Sequence, residues 1–190
     1  MSRSLVSMRD ATLADVEQLA ELWQPFLRRG ADDQLGDLAT AIEQIRDRAG
    51  ERLVVAEYDR VFAGAVFLRA APYSPVNPEP VLQVHNAAVV PEFRRRGVGK
   101  ALVDCAVTWA EELGIGHVGT AASSGSREAN RFMARLALGP QAVLRIAPTP
   151  AVRARLTARH PGARQVTQVL AVRRSLRHAR SMSGSSASGA

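Results

Sequence analysis

The sequence has one cysteine, one lysine and few aromatic side chains, and its carboxylates stop two-thirds of the way along. A lone Cys105 excludes an intrachain disulfide and a cysteine-based zinc site. The four histidines (His85, His117, His160 and His178) show no close ligand spacing, so no metal cofactor is expected. No apolar run reaches the roughly 18 residues needed to cross a bilayer, so no membrane partner is expected. The amino-terminal residues turn polar before a signal core could develop, and a cytoplasmic address is the default expectation. All 18 Asp and Glu fall at or before Glu128, while residues 129–190 carry 11 arginines and no acid. A basic third of this kind suits nucleic acid, an acidic partner or a polyanionic cofactor, or is simply a solvated surface. No aromatics interleave with Arg173, Arg174, Arg177 and Arg180 for base stacking, which argues against nucleic acid.

What is present reads as one soluble domain over residues 1–180 with a disordered tail at 181–190, where apolar side chains run out. Residues 5–9 alternate weakly, as a short strand. Thr12 and Asp15 have capping-box spacing, and Val16, Leu19, Ala20, Trp23 and Leu27 follow helical spacing up to Gly30. Leu38, Ala41, Ile42, Ile45 and Ala49 form a second stripe that Gly50 stops. Residues 53–57 and 61–69 read as a β-hairpin. Residues 71–80 hold four prolines and are expected to be a loop. Residues 81–90 are a buried strand. Leu102, Cys105, Ala106, Trp109 and Leu113 then repeat at helical spacing, which puts Cys105 on a core face and argues against a nucleophilic role. A strand at 117–122, a helix capped by Ser126, a strand at 142–147, a helix from Thr149-Pro150 to about 159 and a strand at 165–173 complete the order. The fold class is therefore α/β or α+β, a mixed sheet flanked by helices on both faces.

The chemistry concentrates in VVPEFRRRGVGKALV, residues 89–103. Gly97 and Gly99 open a helix whose first amides lack intrahelical partners, and Arg94, Arg95, Arg96 and Lys100 surround that end. On residues alone this is either an anion site suited to a pyrophosphate or a solvated helix start. Ala101 after Lys100 breaks a Walker A loop, and Leu102 stands where a dinucleotide fingerprint needs glycine. The pattern Arg94-x-x-Gly97-x-Gly99, after V-x-P and before A-L-V, resembles the acetyl-CoA motif of the GNAT superfamily of N-acetyltransferases. The order of elements over residues 4–139 is similar too, with Gly64 at a place where the family often has glycine. The resemblance implies a mostly antiparallel sheet and an acetyl-CoA donor. It places the pyrophosphate on residues 94–100, Val98 included. It also implies that the backbone of Ala87, Ala88 and Val89 pairs with the pantetheine arm, at a bulge that splays the fourth and fifth strands.

For the reaction the resemblance implies direct acetyl transfer to a primary amine of a small molecule or peptide. Its usual acid is a tyrosine in the helix after the fifth strand, where this chain has Met133. His85 stands where the family places a Glu or His base. Read with a period of two, it shares a face with Ala87 and Val89. It is either that base or a histidine hydrogen-bonded within the core or the acceptor wall. Ser126 and Asn130 are candidates for holding pantetheine, with a helix cap and a surface residue as the alternatives. The acceptor pocket is expected from residues 29–35, from Tyr73 and Asn77 and from the closing strands. Asp32 and Asp33 suit a cationic amine or are simply a soluble loop. A homodimer through the closing strands is also compatible with the resemblance. Two other functions remain open: a catalytically silent acyl-CoA sensor, and a nucleic-acid- or ribosome-associated protein using the basic third.

Overall fold

The computed structural model describes residues 5–27, 33–121, 125–142 and 145–158. The chain divides into two compact units, Met1–Gly139 and Pro140–Ala190. The first carries the sheet. Its strands are β1 (Val6–Asp10), β2 (Glu51–Tyr58), β3 (Val61–Ser74), β4 (Asn77–Val89) and β5 (Val118–Thr120), in spatial order β1-β2-β3-β4-β5. Neighbours are antiparallel except β4 and β5, which run parallel.

The helices are α1 (Val16–Trp23), α2 (Gln34–Arg46), α3 (Val98–Glu112) and α4 (Arg127–Arg135). Alternation along the strands divides the core between two faces. On one face Val54, Val66, Leu68, Leu82 and Val84 pack with Val98, Leu102, Ala106 and Trp109 of α3. On the other, Leu53 and Ala65 pack with Leu19 and Trp23 of α1 and Leu38 and Ile42 of α2. Among the described residues no helix is long and apolar enough to cross a membrane.

The capping box forms: Thr12 donates its backbone N–H to Asp15 Oδ2 at 2.8 Å. Asp15 is 2% exposed, and Arg9 grips both its oxygens at 2.8 and 2.7 Å. The first helix ends earlier than its apolar stripe predicts, at Trp23, because Pro25 cannot donate to a preceding turn. The β2–β3 hairpin turns on Asp59 and Arg60, both left-handed with φ of 51° and 66°, the type I′ geometry that matches strand twist.

Residues 71–80 depart from the expected loop. β3 runs on to Ser74 and β4 begins at Asn77, with Pro72 opposite Pro80. Proline is barred from a strand with neighbours on both sides, but β2 leaves β3 at the Glu51–Arg69 pair, so this end is a two-stranded ribbon. Its open edges need no N–H from proline.

The fifth strand covers Val118–Thr120 of the expected 117–122, of which residue 122 lies outside the described residues. In the second unit, residues 142 and 145–147 form no strand, contrary to expectation, and they lie between Pro140 and Pro148. The helix expected at Thr149 is present as α5 (Thr149–Ala158). The strand at 165–173, the tail at 181–190, Gly30 and Asp32 lie outside the described residues.

Candidate active site

The site is built where β4 loses its regular partners. Opposite Val66 of β3, β4 carries two residues, Asn86 and Ala87, and the register shifts between Ala65 and Phe67. Asn86 takes a left-handed φ of 52°, a conformation asparagine tolerates better than most residues. This is a β-bulge, and it kinks the strand. The Trp23 indole N–H donates to the Asn86 carbonyl at 2.7 Å, tying the kink to α1.

The bulge corrects one expectation. His85 pairs with Phe67, whereas Val89 pairs with Gly64 after the extra residue. His85 and Val89 therefore lie on opposite faces. His85 and Phe67 face α1 and α2, and Val89 packs on the α3 side. A period of two holds only while the ladder is unbroken.

Beyond the bulge, β4 keeps β3 on one side, but among the described residues no strand pairs with its other side. Its parallel partner β5 pairs only Leu82, Val84 and Gln83 with Val118, Thr120 and Gly119. Thr120 Oγ1 donates to the Val84 carbonyl at 3.0 Å at the last paired position. From His85 to Val89 the β5-facing edge of β4 has no strand beside it among the described residues. Val89 Cγ2 and Phe132 Cζ of α4 approach Gly99 from two sides, at 3.6 and 3.8 Å from where its Cβ would stand.

At the end of β4, a 3-10 turn at Pro91–Phe93 leads into Arg94, then Arg95 with φ 62° and Gly97 with φ 88°. The first helical hydrogen bond of α3 runs from Ala101 N to Gly97 O at 3.0 Å. The amides of Val98, Gly99 and Lys100 therefore precede the helical ladder and lie at the positive end of its dipole. The arginine triplet is not uniform. Arg94, Arg95, Arg96 and Lys100 are all exposed, but the Arg96 guanidinium also lies 5.4 Å from the Tyr58 ring centroid and 5.7 Å from that of Phe93.

On the opposite face His85 stacks on Phe67, with centroids 5.7 Å apart. Gln83 Nε2 donates to the Ala71 carbonyl at 3.2 Å, which aims Gln83 Oε1 at His85 Nε2, also at 3.2 Å. That acceptor fixes the proton on Nε2 and leaves Nδ1 as the lone-pair nitrogen. Burial, with the nearby Arg69 charge, pushes the imidazole below its ordinary range, so His85 is neutral at physiological pH.

Ser126 is the N-cap of α4, its Oγ accepting from Ala129 N at 3.3 Å, and Asn130 Nδ2 donates to the Ser126 carbonyl at 2.7 Å. Met133 is half-buried on α4. Asp33 caps α2 by accepting from Gly36 N at 2.7 Å. The Tyr73 hydroxyl rests against Gly119, and Asn77 Oδ1 accepts from Glu79 N at 3.4 Å within the ribbon. The half-buried Cys105 has its thiol pushed up by burial. It lines a groove of about 400 Å³ on the β1 side of α3, with Met8, Arg52 and Trp109.

Several residues of the site were missed in the sequence. Gln83 carries a legible signal, lying two residues from His85 on one strand. Phe93 stands three residues before Arg96, whereas Tyr58 and Trp23 carry no signal, because each acts on a residue brought close only by the fold.

The sequence profile of the acetyltransferase (GNAT) family matches residues 16–138. Comparison with curated protein sequences gives no match. Among solved structures, the chain is similar to a transcriptional regulator from Bacillus halodurans C-125, with 20% identity, a TM-score of 0.66, and coverage of 75% of this chain and 99% of that one. It is also similar to the aminoglycoside N-acetyltransferase AAC(6')-Iy in complex with CoA, at 18% identity and a TM-score of 0.63, over 76% of this chain and 94% of that one. Glucosamine-6-phosphate N-acetyltransferase from Arabidopsis thaliana gives 16% identity and a TM-score of 0.61, over 76% and 98% of the two chains. These similarities are of fold.

Proposed function

Because this chain belongs to the GNAT acetyltransferase family, we propose that it moves an acetyl group from acetyl-CoA to a primary amine of a small molecule or peptide by direct transfer. The observation that carries the reading is a single continuous surface. The unaccompanied edge of β4 leads directly into a turn with two left-handed residues and the free amides of α3. The first is a template for an extended amide-bearing arm, and the second is a cradle for a diphosphate.

The residues present fit such a donor. The amides of Arg95, Arg96, Gly97, Val98, Gly99 and Lys100 would hold the pyrophosphate, with Arg94, Arg95 and Lys100 side chains adding charge. Ala87, Ala88 and Val89 would pair with the pantetheine arm, and Ser126 and Asn130 would border it from α4. The donor supplies an acyl carbon activated as a thioester. His85 Nδ1 takes the amine proton, directly or through water, as the C–N bond forms and the C–S bond breaks. The departing thiolate takes its proton from water, since the Met133 thioether has none to give.

Met133 also favours a second reading, an acyl-CoA-binding sensor without turnover. Calorimetric titration of acetyl-CoA and free CoA, into wild type and Gly99→Glu, tests the donor half. Micromolar binding by wild type that is lost in the variant supports it, and absent wild-type binding refutes it. Thiol release with a panel of primary amines then separates enzyme from sensor, with His85→Ala expected to slow turnover by roughly 100-fold while leaving CoA affinity unchanged.

A further inference from the structure

The three arginines of the donor turn differ in what their side chains touch. Tyr58 is the last residue of β2, and Phe93 ends the 3-10 turn before Arg94. Their rings lie 5.6 Å apart at 36°, and both pack against the core on the α3 face. The Arg96 guanidinium sits over both, at 5.4 and 5.7 Å. A guanidinium within about 6 Å of a ring face is held by the ring quadrupole. Arg96 thereby fastens the middle of an exposed turn to the body of the sheet.

Its neighbours show why such a fastening matters. Arg95 has φ 62°, a conformation that the Cβ of a non-glycine residue disfavours, and Gly97 has φ 88°. The direction of the amides from Arg95 onward depends on both. Left to its local preferences, Arg95 would return to negative φ and turn its amide away.

We infer that Arg96 is a positioning residue, whose clamp on Tyr58 and Phe93 holds the turn in its donor-binding shape, rather than a phosphate ligand. The inference rests on the acyl-CoA reading of the turn. It divides the work of the triplet: Arg94 and Arg95 present charge, and Arg96 sets backbone geometry. Tyr58, on a different strand and carrying no charge, becomes a determinant of donor affinity.

The test is calorimetry of CoA and of 3′-dephospho-CoA with wild type, Tyr58→Leu, Tyr58→Phe, Arg96→Ala and the Tyr58→Leu/Arg96→Ala double variant. A clamp predicts that Tyr58→Leu weakens both nucleotides by about 3-fold and Arg96→Ala by roughly 5- to 10-fold, with equal factors for the two ligands. Tyr58→Phe, which keeps the ring, binds as wild type, and the double variant is no weaker than Arg96→Ala. The inference is overturned if Tyr58→Leu binds as wild type. It is also overturned if the Arg96→Ala loss is confined to CoA, which would make the guanidinium a 3′-phosphate contact, or if the two factors multiply. Wild type that binds neither nucleotide removes the donor reading and this role together. Intact wild-type binding with a failed clamp removes only the clamp.

Discussion

Gly64 offers the sharpest test of how tightly the kinked strand is fitted. A Cβ at Gly64 would stand 2.6 Å from the Ala88 carbonyl oxygen, 3.3 Å from Val89 Cα and 3.4 Å from Val98 Cγ1. Carbon and oxygen come to rest at about 3.3 Å, so β4 must move back by roughly 0.7 Å, and the obstruction is backbone that no rotamer change removes. Overpacking of this kind costs about 1–3 kcal/mol, partly offset by ~0.4–1 kcal/mol from the smaller entropy of an unfolded alanine. Gly64→Ala should therefore lose about 1–2 kcal/mol in urea unfolding at unchanged slope, lowering the midpoint temperature by roughly 2–8 °C. Because Ala88 and Val89 are the residues displaced, CoA affinity should fall with stability. Gly99→Ala is the internal control. Its Cβ would meet Val89 and Phe132 at an ordinary 3.6 and 3.8 Å, and in the first turn of a helix alanine should stabilise by about 0.5–1 kcal/mol. Opposite signs are expected from the same substitution at two glycines. A Gly64→Ala protein as stable as wild type would refute the claim that β3 and the bulge are in backbone contact.

Three other perturbations follow from the structure. Arg60→Gly, at φ 66°, should raise stability by about 0.5–1 kcal/mol, because glycine meets no Cβ penalty in a type I′ turn; equilibrium unfolding would read it. Asp15→Asn should cost about 2–3 kcal/mol, a buried-pair loss discounted because the Arg9 side chain is 37% exposed. Arg9 and the Thr12 N–H hold the Asp15 carboxyl below its ordinary value, so this difference should be full above pH 4 and shrink as acid protonates the wild-type carboxylate. For His85, whose pKa is lowered by burial, kcat/KM should rise with pH through a value below the ordinary 6.5 and then level off. Its folded-state preference for the neutral ring also stabilises the protein above pH 6.5, and that contribution should be lost as pH falls below it, visible as a wild-type decline that His85→Ala lacks.

Much of this arrangement was readable from residue order because local and global signals agree. The spacing of Leu102, Ala106 and Trp109 fixes the buried face of α3, and Gly97 sits where the chain turns left-handed. The readings that failed assumed that local rules apply uniformly. Proline excludes a central strand, but Pro72 and Pro80 lie on a two-stranded ribbon that no third strand joins among the described residues. Alternation places His85 with Val89 only if no residue is inserted between them, and Asn86 is inserted. The hydrogen bond from Trp23 that holds the insertion comes from 63 residues away, and no window of sequence contains both. The partition of the arginine triplet was hidden for the same reason, since Tyr58 meets Arg96 only through the fold.

The bulge also bears on how the molecule avoids its own kind. A strand end with one side unaccompanied is the usual place for chains to join edge to edge into aggregates, and such joining requires a straight, evenly spaced row of donors and acceptors. At Asn86 the row is bent and one residue out of step, so a second β-strand laid along it would match for only a few residues before its carbonyls and amides fell out of alignment. A short ligand with few amides needs no longer match than that. A row bent in this way is a poor template for edge-to-edge joining, which a straight strand end would invite.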